Sequence, residues 1–108
     1  MEPHRLAEER SLAYHRVIAE RLATEPALLE EARQRVAGWL AGGSPSHFAR
    51  RWDQILAGDP ATIAAILVDP GEEGRELRQS TPFAGALSAR ERWAIWEAVG
   101  RRADAHDA

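Results

Sequence analysis

Apolar residues recur along most of this chain at intervals of three and four. Tyr14, Ile18 and Leu22, with Val17 beside them, form one stripe in a segment from about Pro3 to Thr24. That spacing is the signature of an amphipathic helix, and the Ala, Leu, Glu and Arg around it are good helix formers. Leu29, Ala32, Val36, Trp39 and Leu40 repeat the pattern before Gly42-Gly43. Phe48, Trp52, Ile55 and Leu56 do so before Gly58, expected as a C′ residue, and Ile63, Ile66 and Leu67 mark a short fourth helix. A weaker fifth runs from Pro70 to about Gln79, with Leu77 as its one large apolar residue. A sixth runs from Ser88 to about Arg102, with Ile95, Trp96 and Val99 expected on its inner face. No stretch alternates with period two for long enough to make a strand.

Start signals agree with this spacing. Proline follows Glu25, Ser44, Asp59 and Asp69 at the expected beginnings of the second to fifth helices. Proline suits a first helical position because it lacks the N–H that would be orphaned there, and a preceding Ser or Asp can cap the remaining donors. For Pro26 the cap falls on Thr24 or Glu25. Ser88-Ala-Arg-Glu91 has the capping-box pattern instead. The expected fold is all-α, a compact bundle of five to six short helices joined by connections of two to six residues. It forms one domain over residues 1–102, with a frayed C-terminal tail at 103–108.

Composition narrows the chemistry. The 108 residues include no cysteine and no lysine, so all fourteen basic residues are arginine. Disulfides, thiolate metal sites, thiol catalysis, Schiff bases and a P-loop are excluded. At 44% hydrophobic and 29% charged, the chain is too apolar to be disordered. No apolar run nears the roughly 20 residues of a membrane span. The charged N-terminus, Met-Glu-Pro-His-Arg, has no apolar stretch behind it, so a secretory signal is not expected and the chain reads as cytoplasmic.

Candidate catalytic groups do not assemble into a recognisable constellation. His4 and His15 can share a helix face but stand roughly 16 Å apart, too far to share one metal. Ser11 and His15 are an i,i+4 pair with no third acid nearby to orient the ring. His47 falls in a first turn, where it reads as solvent-exposed, and His106 in the tail. Glu8-Glu9, Glu30-Glu31 and Glu72-Glu73 are adjacent pairs, which diverge on a helix and form no dyad. Gly71-Glu-Glu-Gly74 is too acidic to cradle a phosphate. No catalytic residue, cofactor or metal is therefore expected.

Arginines gather at Arg50-Arg51, Arg75/Arg78, Arg90/Arg92 and Arg101-Arg102, and arginine suits phosphate and guanine. The net charge of −3 weighs against nucleic acid. A dimeric DNA-binding transcriptional regulator is accordingly the second reading, behind a protein-interaction module. Four tryptophans exceed the needs of a minimal core, which allows self-association through one of them.

One segment departs from generic helix. Pro82 blocks continuation of the fifth helix and holds Thr81 extended. Phe83 follows among Ala84, Gly85 and Ala86, with Gly85 suited to a φ that other residues avoid. A lone Phe in such a loop either plugs the core or anchors a partner. With Arg75, Arg78, Gln79, Ser80, Arg90 and an exposed Trp93, it makes the candidate partner-binding surface.

The run Leu77-Arg-Gln-Ser-Thr-Pro-Phe-Ala-Gly-Ala-Leu-Ser-Ala-Arg-Glu-Arg-Trp93 resembles the C-terminal signature of a family of short all-helical bacterial proteins. His15-Arg-Val-Ile-Ala-Glu-Arg-Leu22, Trp39-Leu40 and Arg51-Trp52 extend the resemblance over most of the chain. Members resemble antitoxin-like components of two-gene toxin–antitoxin modules. The resemblance implies a protein that binds and neutralises a partner toxin encoded beside it. It assigns no activity and no site residues. Acidic helices that mimic phosphate would suit a partner with a basic groove.

Overall fold

Capping chemistry sets the helix boundaries more closely than the prolines do. In the computed structural model, which describes residues 2–107 and side chains as far as residue 105, six α-helices are present: α1 Pro3–Arg21, α2 Pro26–Leu40, α3 His47–Leu56, α4 Pro60–Leu67, α5 Glu72–Gln79 and α6 Ala89–Asp107. No strand occurs among the described residues. Pro26 and Pro60 open their helices as expected, and the Asp59 carboxylate accepts from the Thr62 N–H at 2.8 Å. Pro45 and Pro70 do not. α3 is capped by Ser46, whose hydroxyl accepts from the Ala49 N–H, and α5 begins after Gly71. There the Asp69 carboxylate instead accepts from the Gly71 N–H, shaping the turn that precedes the helix. The capping box is complete: Ser88 Oγ accepts from the Glu91 N–H at 3.1 Å, and Glu91 Oε1 accepts from the Ser88 N–H at 3.2 Å.

Three further expectations change. Gly58 follows α3 without a left-handed φ, because Ala57 closes the helix in ordinary αR geometry. The last helix passes the Arg102 boundary and continues to Asp107, with Ala103 buried; a buried side chain gives that turn a reason to persist. The connection from α5 to α6, residues 80–88, is longer than the two to six residues expected.

α1 is the hub of the bundle: α4, α5 and α6 all pack on it, while α2 pairs with α3. One core joins both groups. It contains Ile18 and Leu22, Leu29, Ala32 and Val36, Trp52 and Leu56, Ile63 and Leu67, Leu77, and Phe83 from the α5–α6 connection.

Arginines hold the ends of several helices. Arg33 of α2 donates to the Leu56 carbonyl at the end of α3. Arg78, buried on α5, donates to the carbonyls of Leu67 at 3.2 Å and Asp69 at 2.7 Å, closing the C-terminus of α4. A cation at that end also meets the negative pole of the helix. Burial lowers the pKa of this guanidinium from its ordinary high value, with Asp69 and Glu8 opposing the shift.

Gly74 explains why α5 carries a residue of low helix propensity. It is buried, and a Cβ there would stand 2.2 Å from the Asp69 carbonyl oxygen. Gly74→Ala is expected to destabilise the fold by about 1–3 kcal/mol, because backbone must move to admit the methyl. Urea unfolding would show a lower midpoint at an unchanged slope.

Candidate functional site

The 80–87 corner organises the site. The Ala86 N–H donates to the Phe83 carbonyl at 3.0 Å, closing a four-residue turn. Gly85 sits at its third position with φ +81°, the left-handed region that such a turn requires and that glycine enters without strain. Phe83 is driven inward, 1% exposed, and meets Trp52 edge-to-face with centroids 6.2 Å apart.

Three helices grip this corner. From α1, the Tyr14 hydroxyl donates to the Phe83 carbonyl at 2.6 Å. From α2, Arg35 donates to the carbonyls of Pro82 and Ala84. From α3, the Trp52 indole N–H donates to Ser80 Oγ at 3.4 Å. His15 adds a polar relay. Its Nδ1 lies 2.7 Å from the Ser11 carbonyl, which can only accept, so Nδ1 carries the proton. Its Nε2 then accepts from the Thr81 hydroxyl at 2.8 Å, and Thr81 Oγ1 accepts from the Phe83 N–H at 3.0 Å. Burial lowers the His15 pKa to about 4, against the raising effect of the bond to the Ser11 carbonyl and with a lesser lowering contribution from the nearby Arg78 charge. His15 is therefore a neutral structural clamp at pH 7. The ring's two nitrogens are thus engaged by the Ser11 carbonyl and the Thr81 hydroxyl, not by the Ser11 hydroxyl of the i,i+4 pair.

The candidate surface residues separate into two groups. Phe83 and Arg78 are interior, and Ser80 is half-buried, occupied by Trp52 and by its own bond to the Leu77 carbonyl. Of the two roles open to Phe83, the plug is the one the structure has, because the loop folds back over Trp52. Arg75 and Gln79 are exposed on α5, where Arg75 lies 3.6 Å from Glu8. Arg90 and Trp93 are exposed on α6, Trp93 at 61%.

Trp96, expected on the inner face, is instead 48% exposed. Its indole is covered by the Arg10 guanidinium, whose carbon lies 3.5 Å from the ring centroid, while Arg10 Nε donates to the Trp96 carbonyl at 3.4 Å. A cation over an indole replaces the apolar neighbour the stripe implied. Beside this pair opens a cleft of about 430 Å³ between α1, α6 and the corner. Ser11, Tyr14, His15 and Thr81 contribute from one side, Ile95 and Trp96 from α6, and Arg10, Arg78 and Arg92 also line it. The sequence reading missed this cleft. Its walls come from segments far apart in the chain and have no local signature.

At the far end of the α1–α6 contact, Arg21 pairs with Glu91. Arg21 and the Ser88 N–H hold the Glu91 carboxyl below the usual carboxylate range. Among the described residues no group of three His, Asp or Glu side chains is placed to hold a metal. No helix among them is long and apolar enough to cross a membrane. No family model, no curated protein and no solved structure matches this chain.

Proposed function

We propose that this chain is a non-catalytic protein-interaction module, an antitoxin that binds and neutralises a partner protein encoded beside it. One observation carries the reading. Trp93 and Trp96, three residues apart on α6, leave 61% and 48% of their surface in solvent while Trp52 is wholly buried. Tryptophan at such exposure is the residue type most often found at the centre of protein interfaces, and Arg90, one turn before Trp93, is of the next most favoured type. The resemblance of residues 77–93 to antitoxin-like proteins supports the same reading. The exposed α6 strip of Arg90, Trp93, Trp96 and Glu97 is the docking surface in this proposal, and the buried part of the 80–87 corner sets its position.

The test is co-expression. The neighbouring gene alone should arrest growth, and this chain should restore it and co-purify with the product. Trp93→Ala should abolish rescue and weaken binding by at least about 30-fold, a hot-spot loss of some 2 kcal/mol. Its thermal unfolding should stay unchanged, because the indole is largely outside the core. Equal growth with and without this chain, and no co-purification, would remove the proposal.

The second reading, a dimeric DNA-binding regulator, draws on Arg90, Arg92 and Arg102, which are exposed along α6. Binding to its own promoter that weakens steeply with salt would favour it over the first.

A further inference from the structure

We propose that the cleft between α1 and α6 binds a small amphipathic anion, a flat apolar body bearing one carboxylate, sulfonate or phosphate group. The first support is charge. Arg10, Arg78 and Arg92 line the cleft, and no carboxylate does, although the chain as a whole carries −3. The nearby acids lie outside the lining: Glu91 pairs with Arg21, and Glu8, beside Arg75, acts with Asp69 on the buried Arg78 without entering the cleft. Among the described residues Arg92 has no ion pair and no side-chain hydrogen bond. A cationic lining with no carboxylate of its own, in an acidic protein, favours an anionic ligand.

The second support is shape and surface. A volume of about 430 Å³ falls in the range of small-molecule sites, roughly 300–1,000 Å³. Ala7, Tyr14, Ala84, Ile95 and Trp96 supply apolar walls, and few polar atoms interrupt them. That combination, an apolar wall with a small number of convergent charges, orients an amphipathic ligand by one end.

The third support is preorganisation. Arg10 is already fixed against Trp96 by stacking and by its bond to the Trp96 carbonyl. Arg78 is fixed by the Leu67 and Asp69 carbonyls, so it supplies field at the base of the cleft. Arg92 is the exposed member and the one positioned to close on the anionic group. Little side-chain freedom remains to be lost at the first two positions when a ligand arrives. The cleft shares Trp96 with the proposed docking strip but not Trp93 or Arg90, so substitutions at Arg92 and at Trp93 separate the two readings.

Two probes that differ by one charge test it: 8-anilino-1-naphthalenesulfonate and N-phenyl-1-naphthylamine, the same aryl amine without the sulfonate. The anionic probe should bind one-to-one, at least about tenfold more tightly than the neutral one. In amide and indole N–H spectra, its shifts should fall on Ser11, Thr81, Gly85 and the Trp96 indole. Arg92→Ala should weaken the anionic probe about tenfold, leave the neutral one unchanged and leave thermal unfolding unchanged. Arg92→Lys should keep most of the affinity, and 2-naphthoate should compete where inorganic phosphate does not. Equal binding of the two probes, shifts centred on Trp93, or full affinity in Arg92→Ala would each overturn the proposal.

Discussion

Phe83→Ala is expected to lower the free energy of unfolding by about 3–5 kcal/mol, the usual range for truncating a fully buried aromatic ring. A domain of this size holds about 5–15 kcal/mol in total, so the variant would sit near the edge of folding. Its Tm should fall by more than roughly 10 °C. The cost is high because Phe83 is not one core residue among equals. It is 1% exposed, meets Trp52 edge-to-face, and lies in the corner that receives Tyr14, His15 and Arg35 from two other helices. Removing the ring opens a cavity where α1, α2 and α3 converge, and the hydrogen bonds around it oppose collapse. Thermal and urea unfolding measure the loss. A drop below about 1 kcal/mol would show that the corner does not hold the helices together. Trp93→Ala, in the same scan, should change stability by less than about 0.5 kcal/mol, as exposed substitutions usually do.

Stability should fall as the pH is lowered from about 6.5 to about 4, through His15. In the unfolded chain this imidazole binds a proton near its ordinary pKa of 6.5, whereas in the fold burial and Arg78 lower that pKa to about 4. Between these values the unfolded state carries more protons, so unfolding gains as pH falls. The contribution is fully present above 6.5, diminishes through the window and is gone below about 4. Its full size is about 3 kcal/mol, from roughly 1.4 kcal/mol per pH unit. Urea unfolding at a series of pH values measures it. His15→Gln should flatten the slope between pH 4 and 6.5, whatever its effect on absolute stability. A His15 ring resonance that titrates with a midpoint near 6.5 in the folded protein would refute the assignment.

Much of the architecture was legible along the chain. The five clear stripes and the Ser88 capping box identify helices because they depend on contacts within one or two turns. The Asp59-Pro60 start is equally local. Errors arose where a local rule had a competitor. Ser44-Pro45 offered one cap and Ser46 took the role, since its hydroxyl reaches the Ala49 N–H. At Trp96 the apolar stripe pointed inward, yet Arg10 covers the ring, and no rule of periodicity anticipates a cation as the covering group. Arg78 belongs by sequence to a cluster suited to phosphate and guanine, but it binds carbonyls at the end of α4, and Arg33 and Arg35, outside any cluster, bind carbonyls at the end of α3 and in the corner. The candidate surface fared similarly. Trp93 was expected in solvent and is there, while Phe83 and Arg78 were assigned to the same patch and lie inside.

The order, type and approximate extent of the helices follow from residues within four positions of one another, because a backbone hydrogen bond and a cap reach no further. The Arg10–Trp96, Tyr14–Phe83 and His15–Thr81 contacts join residues 86, 69 and 66 positions apart. They belong to the tertiary structure alone, for the physical reason that each partner is an ordinary helix or loop residue until packing of α5, α6 and the corner on α1 brings it within hydrogen-bonding distance. The same packing decided which tryptophans reach solvent and turned three separated arginines into the lining of one cleft.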